Sequence, residues 1–361
     1  MVRGKTRLKA SKKLQLVAHC RLSKESHKRS ALEKRFWHLG ASATESITAG
    51  AKKLQGQVKV VFIGKSHAFS LIPLKAIMDS HRVVGIVESG PRVVGKQPKT
   101  RFAALVARWK TVLRHHDSPL EKIAKQIHVP HMYLFRENRD SLNIFVKRAA
   151  PDIICIASLS QLLKKEIFET PRHGALNLHP SMLPKYRGAF PWFWQYHAFE
   201  KEIGVTVHVI DEGEDTGPIV KQEAFTLELG TDVVEAMEIA ASIGAKLMVE
   251  ALNEIAAGTA DYRPQSPGGY PRARVVKRDE QLLDWGWPIE RVWHFMRGTY
   301  PWLDFVQYPP EIAGKCKIGG FERCAHGMAP GKVCQDEIGH YVSHGEGKIR
   351  LNVRSNRGRK K

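Results

Sequence analysis

Hydrophobic positions along this chain recur in two rhythms, and the switches between them mark its elements. From residue 58 the run VKVVFIG is apolar, β-branched and ends in glycine, the pattern of a short strand. FSLIPLKAIMDS (69–80) then spaces its apolar residues as a helix does, and HRVVGIVES (81–89) returns to strand character. A β-α-β opening of this kind predicts a parallel sheet. Further on, LVARWKTVLRHH (105–116), SPLEKIAKQIH (118–128) and SLNIFVKRAA (141–150) read as helices. MYLF (132–135), PDIICIAS (151–158) and GALNLHP (174–180) read as strands. The alternation predicts an α/β fold with a doubly wound, mostly parallel, Rossmann-like sheet, whose ligand sites lie beyond the carboxyl ends of its strands.

A Trp-rich helix PWFWQYHAFE (191–200) follows, then a strand IGVTVHVI (203–210), an acidic turn DEGEDTG (211–217) and a strand PIVKQEAFTL (218–227). A long helix opens at the Thr231-Asp232 cap and closes at Gly258. Residues 57–258 are therefore expected to form one domain. Residues 259–277 are rich in Pro, Gly and Arg and read as a linker. Beyond it, a helix PIERVWHFMRG (288–298) leads into short strands broken by turns, which predict a small β-barrel-like (OB-like) domain over 278–354, closed by a basic tail at 355–361.

Charge changes this picture at the ends. The formal net charge is +21, which favours polyanionic partners. Residues 1–56 hold 14 Lys and Arg against three acids, so about half of that excess sits in an N-terminal extension. The extension is expected to be a disordered solubilising arm, with a nucleic-acid arm or an organellar presequence as the functional alternatives. No apolar run approaches the roughly 18 residues that span a bilayer. Five cysteines at irregular spacing suit a reducing compartment, so a cytoplasmic location is expected. Cys316, Cys324, His326 and Cys334 contain no C-x-x-C pair to anchor zinc, and no metal is expected.

The candidate chemistry lies at the end of the strand GALNLHP. Residues two apart in a strand point the same way, so Asn177 and His179 share a face. An amide donor beside an imidazole suits a carbonyl that gains negative charge while a proton moves. Pro180 and Pro184 stiffen the loop that follows. The turn DEGEDTG can return a carboxylate to the imidazole.

Together, ALNLHPSMLPKYRGAFPW and IGVTVHVIDEGEDTGPIV resemble the formyltransferase family that uses 10-formyltetrahydrofolate, and the resemblance runs from about residue 58 to 257. It implies that Asn177, His179 and Asp215 are catalytic: Asn177 holding the oxyanion, His179 shuttling protons, and Asp215 orienting and charge-stabilising His179. It also implies that Ser181, Met182, Leu183 and Pro184 contact the folate. Met182 stands where the family usually has Leu, and ASLSQLL (157–163) departs from the family near the pterin pocket.

The stretch DEQLLDWGWPIERVWHFMRGTYPWLDF and the terminal β-module resemble the second domain of the methionyl-tRNA formyltransferases, which implies charged initiator tRNA as acceptor. Residues 90–148 hold 13 Lys and Arg against four acids, and the last 14 residues hold seven basic side chains and no acid. Arg187, Lys96, Lys99 and Arg101 are the expected substrate-binding residues, and a monomer is expected. Two alternatives stay open: N-formylation of a nucleotide-linked amino sugar, and an RNA-binding protein on an inactive formyltransferase scaffold.

Overall fold

The least polar strands take the middle of the sheet. The computed structural model describes residues 57–90, 118–135, 138–301, 303, 306–312 and 316–353. Seven strands, β1 (Lys59–Gly64), β2 (Arg82–Ser89), β3 (His131–Leu134), β4 (Ile153–Ala157), β5 (Ala175–His179), β6 (Glu202–Val209) and β7 (Ile219–Thr226), form one sheet in the order β3-β2-β1-β4-β5-β6-β7. Every residue of β4 is buried, as is all of β1 except its first, so these strands can carry a continuous apolar sequence. The edge strand β7 is buried only at its first two residues and grows more exposed toward its end. Strands β1 to β5 run parallel to one another, β6 reverses direction against β5, and β7, antiparallel to β6, returns to the direction of the first five. The chain winds outward from β1 to β3, crosses back to β4 and winds outward again, so the expected doubly wound sheet forms with its switch point between β1 and β4.

The described helices are α1 (Ala68–Ser80), α2 (Pro119–Gln126), α3 (Arg139–Ala149), α4 (Lys165–Phe168), α5 (Pro191–His197), α6 (Val233–Ala257) and α7 (Ile289–Thr299). One face of the sheet packs Val61, Ile63, Val87, Ile154 and Ile156 against Leu142 and Val146 of α3. Leu178 points the other way, between Asn177 and His179, and enters α6 where Gly244 leaves room; a Cβ at 244 would lie 2.7 Å from both Leu178 methyls. Asp232 caps α6 by accepting from the amides of Val234 and Glu235, both at 3.0 Å. Ser118 caps α2 in the same way, accepting from Glu121, with Pro119 in the first turn. The helix expected over 105–116, the extension 1–56 and the tail 355–361 lie outside the described residues.

The C-terminal strands β8 (Cys316–Arg323), β9 (Val333–Gln335), β10 (His340–His344) and β11 (Gly347–Val353) form a separate antiparallel sheet in the order β8-β11-β10-β9. Helix α7 joins the two sheets. It packs Phe295 edge-on against Phe193 of α5, and its Arg291 donates to the His197 carbonyl at 2.7 Å. Toward β8, Arg297 donates to the Ile318 carbonyl at 3.1 Å and Trp293 packs against Phe321.

Candidate active site

Strand register assembles the polar groups at the carboxyl end of β5. Asn177 and His179 project to one side, and the antiparallel pairing with β6 sets His208 opposite Asn177 and Thr206 opposite His179. The β6–β7 turn then returns Asp215 over this edge, with its backbone in the left-handed region at φ 56°. The Asp215 carboxylate meets all three groups. Its Oδ1 accepts from Asn177 Nδ2 at 3.3 Å and lies 3.5 Å from His208 Nε2, while Oδ2 lies 3.4 Å from His179 Nδ1. The three residues expected to be catalytic are thus brought together, from two strands' worth of separation in sequence.

The hydrogen bonds fix who donates. His208 Nδ1–H donates to the Val209 carbonyl at 2.8 Å, so Nε2 carries the lone pair and accepts from Asn177 Nδ2 at 3.1 Å. Both protons of the Asn177 amide are therefore engaged, one by His208 and one by Asp215. For Asn177 to stabilise an oxyanion, the substrate oxygen has to take the place of His208 Nε2. Asp215 Oδ2 also accepts the Gly188 amide at 2.9 Å. Burial alone would push this carboxyl up, but the His179 ring and the Gly188 amide outweigh it and hold Asp215 well below the usual carboxylate range.

His179 is 4% exposed and flanked by two acceptors, with Nε2 2.9 Å from the Tyr186 carbonyl and Nδ1 facing Asp215. A ring between two acceptors satisfies both only as the imidazolium. Burial opposes that form and prevails, lowering His179 below its ordinary value, while Asp215 and the Tyr186 carbonyl pull it back. The ring is poised to take a proton and to lose it again.

The loop Ser181–Pro184 is stapled to the sheet rather than loose. Ser181 is fully buried, its hydroxyl donating to the Lys185 carbonyl at 2.7 Å, and Leu183 is 3% exposed. The Thr206 hydroxyl donates to the Ser181 carbonyl at 2.7 Å and accepts the Leu183 amide at 3.2 Å. Gln222 donates to the Leu183 carbonyl and to Thr206, both at 2.8 Å. Met182 rests on the bare Gly204 backbone, where any Cβ would meet its sulfur. Ser181 and Leu183 thus turn inward, and what the loop can present to a ligand is its backbone and the half-buried Met182 and Pro184. Arg187, expected to meet substrate, directs its guanidinium at Gln265, donating from Nε at 2.9 Å and Nη2 at 2.7 Å. Lys96, Lys99 and Arg101 lie outside the described residues.

Sequence reasoning passed over His208, Gln222 and Gln265. His208 alternates with Thr206 along its own strand, but only the pairing of β5 with β6 sets it opposite Asn177. The two glutamines carry no such signal, and Gln265 sits in a stretch that reads as a linker. Among the described residues no group of three His, Cys, Asp or Glu side chains could hold a metal ion.

A doubly wound sheet that gathers an amide, an imidazole and an ionised carboxylate at its carboxyl edge defines a class of enzyme, one equipped to add a nucleophile to a carbonyl and move a proton in the same place. Within that class the chain belongs to the formyl transferase family: the family described as Formyl transferase matches residues 58–252, which include Asn177, His179, His208 and Asp215. The methionyl-tRNA formyltransferase of Thermodesulfovibrio yellowstonii is 29% identical over 292 residues, covering 81% of this chain and 89% of its own. That of Methylacidiphilum infernorum is 32% identical over 250 residues, covering 68% and 72%. The N-formyltransferase from Helicobacter canadensis, solved with folinic acid and dTDP-3-aminofucose, superposes with a TM-score of 0.54 at 18% identity, covering 82% of this chain and 99% of that one. That likeness is one of fold.

Proposed function

We propose that this protein transfers the formyl group of 10-formyltetrahydrofolate to the amino group of methionyl-initiator tRNA. The observation that carries the chemistry is the convergence of Asn177 and His179 on Asp215. The acceptor reading is supported by relatives named methionyl-tRNA formyltransferase that align with most of this chain. In the reaction the amine nitrogen attacks the formyl carbon, its oxygen becomes an oxyanion held by Asn177, and His179 takes the amine proton with Asp215 stabilising the imidazolium. The bond from N10 to the formyl carbon then breaks and the proton passes to N10, releasing tetrahydrofolate. Two positioned groups of this kind are worth roughly 3 kcal/mol each in the transition state.

The folate site is assigned to the carboxyl ends of the adjacent strands β4 and β5, between the Ser181–Pro184 loop and the segment 158–163. That segment is itself tied down, since Ser160 donates to the Gly90 carbonyl at 3.0 Å and its amide to Ser89 Oγ at 3.1 Å. Residues 57–258 are assigned as the catalytic domain and 278–354 as the accessory module. The basic stretch 90–148, with Lys96, Lys99 and Arg101, and the tail 355–361 are assigned to tRNA phosphates. The enzyme is proposed to act as a cytoplasmic monomer. Incubating purified protein with 10-formyltetrahydrofolate and methionyl-initiator tRNA, and following formyl-methionyl-tRNA directly, tests the proposal: turnover is expected, and turnover of a nucleotide-linked amino sugar in its place would reassign the acceptor.

A further inference from the structure

His179 meets its two acceptors, the Tyr186 carbonyl and the Asp215 carboxylate, on two residues that both adopt a left-handed backbone, Tyr186 at φ 61° and Asp215 at φ 56°. Neither is Gly, and although Asp takes this region more readily than Tyr, both conformations are held by their surroundings. One segment imposes both. The Tyr186 amide donates to the Pro271 carbonyl at 2.7 Å, and the Asp215 carbonyl accepts from Gln265 Nε2 at 3.0 Å. The same Nε2 donates to the Gly217 carbonyl at 2.7 Å, which fixes the far side of the Asp215 turn.

Gln265 Oε1 accepts both bonds from Arg187, on the loop that carries Tyr186. With two donors and two lone pairs occupied, its amide can sit only one way round. The backbone continues the hold. Ala273 donates to the Arg187 carbonyl at 2.8 Å and accepts from Phe190 at 3.0 Å, while Arg263 exchanges both backbone hydrogen bonds with Ile219 at 2.8 and 2.9 Å. At 188 the strap passes so close that a Cβ would lie 2.7 Å from the Ala273 carbonyl oxygen.

We infer that Gln265 is a positioning residue and the segment 263–274 a strap: through Arg187 and the Asp215 turn, Gln265 joins the two loops that supply the acceptors of His179 and so sets the orientation and charge of that ring. The kinetic consequence rests on the proposed role of His179 in formyl transfer; the effect on the ring does not. Titratable groups facing His179 are Asp215, His208 on β6, whose ring centroid lies 6.4 Å away, and Glu214 of the turn. Of these, Asp215 and Glu214 are on the strapped turn, Glu214 through Arg272 Nη2 at 2.8 Å.

The full chain is compared with its Gln265→Ala and Gln265→Glu variants in kcat, KM for 10-formyltetrahydrofolate, the pH profile of kcat, and the titration of the His179 imidazole by NMR. Gln265→Glu keeps acceptors for Arg187 but deletes both donors to the Asp215 turn. If the strap positions His179, both variants lose about a hundredfold in kcat, the cost expected of a small displacement of a reacting group, with KM within about threefold. Both also move the acid limb of the profile, and the His179 titration, to lower pH as the carboxylate withdraws. If Gln265 merely anchors Arg187, Gln265→Glu keeps the parent kcat and pH profile, and the inference falls. Should Gln265→Ala fail to fold, Gln265→Glu alone decides by the same outcomes. If the parent protein transfers no formyl group, the functional reading fails instead, and the NMR titration decides the strap: an unmoved His179 overturns it.

Discussion

Replacing Asp215 by Asn changes a charge at nearly constant shape, and the structure sets the size of the effect. The carboxylate lies 3.4 Å from His179 Nδ1, with the two side chains 15% and 5% exposed. At that distance and an effective dielectric constant of about 20, a carboxylate and an imidazolium attract by about 5 kcal/mol. Relaxation of the neighbouring dipoles and entry of water would recover part of it, leaving on the order of 3 to 4 kcal/mol lost where the proton has moved, or two to three orders of magnitude in kcat. Neither orientation of an Asn amide restores the contacts, because its NH2 would face either the Gly188 amide or the Asn177 amide. One donor pair is left opposed, at about 1–3 kcal/mol of stability.

The signs with pH follow. The folded carboxyl titrates below its unfolded value, so its stabilisation is complete above about pH 4 and is lost as the pH falls toward the folded value. The variant should therefore melt below the parent at pH 7, with the gap narrowing below pH 4. Asp215 also pulls the proton affinity of His179 upward, so its removal should shift the acid limb of kcat to lower pH. Single-turnover formylation with saturating folate, run from pH 5 to 8 beside thermal melts, measures all of this. A folded Asp215→Asn enzyme within tenfold of the parent kcat would refute the electrostatic argument.

Other outcomes are equally concrete. His208→Phe fills a similar space but removes the Nε2 that orients Asn177 Nδ2 until the substrate oxygen replaces it, so kcat should fall by no more than about tenfold, the net worth of an orienting hydrogen bond, with folate KM little changed; a much larger loss would show that His208 does more than orient the amide. Gly188→Ala meets the Ala273 carbonyl at a residue with φ 124°, and should lower both stability, by roughly 1–3 kcal/mol, and kcat; a neutral melt would show that the strap gives way freely. Reversing the charges of Lys96, Lys99 and Arg101 together should raise the KM for tRNA and flatten its dependence on salt, whereas a salt slope equal to the parent's would remove these residues from the tRNA interface.

How far sequence reading carries depends on the range of the signal. The buried strands declare themselves because β1 and β4 face helices on both sides and admit almost no polar residue. Asn177 and His179 could be paired because the two-residue period of a strand is local, and Asp215 because a recurring motif links it to them. His208 needed the register of β5 against β6, which pattern alone does not give. Gln265 was hidden further, since its partners are the backbone carbonyls of residues 48 and 50 positions earlier, and Pro, Gly and Arg read as a tether whether or not they are bonded along their length. Arg187 illustrates the converse: an exposed-looking Arg-Gly turn carries a guanidinium committed to the protein's own amide.

The chemistry assigned to this edge of the sheet stands or falls on what happens to an acceptor amine. The decisive measurement is mass spectrometry of a mixed pool of aminoacyl-tRNAs and nucleotide-linked amino sugars, incubated with 10-formyltetrahydrofolate and either the parent enzyme or His179→Ala. Methionyl-initiator tRNA should gain the mass of one formyl group with the parent and almost none with the variant. A pool left unmodified with the donor intact, or formylation that survives the loss of His179, would contradict the assignment.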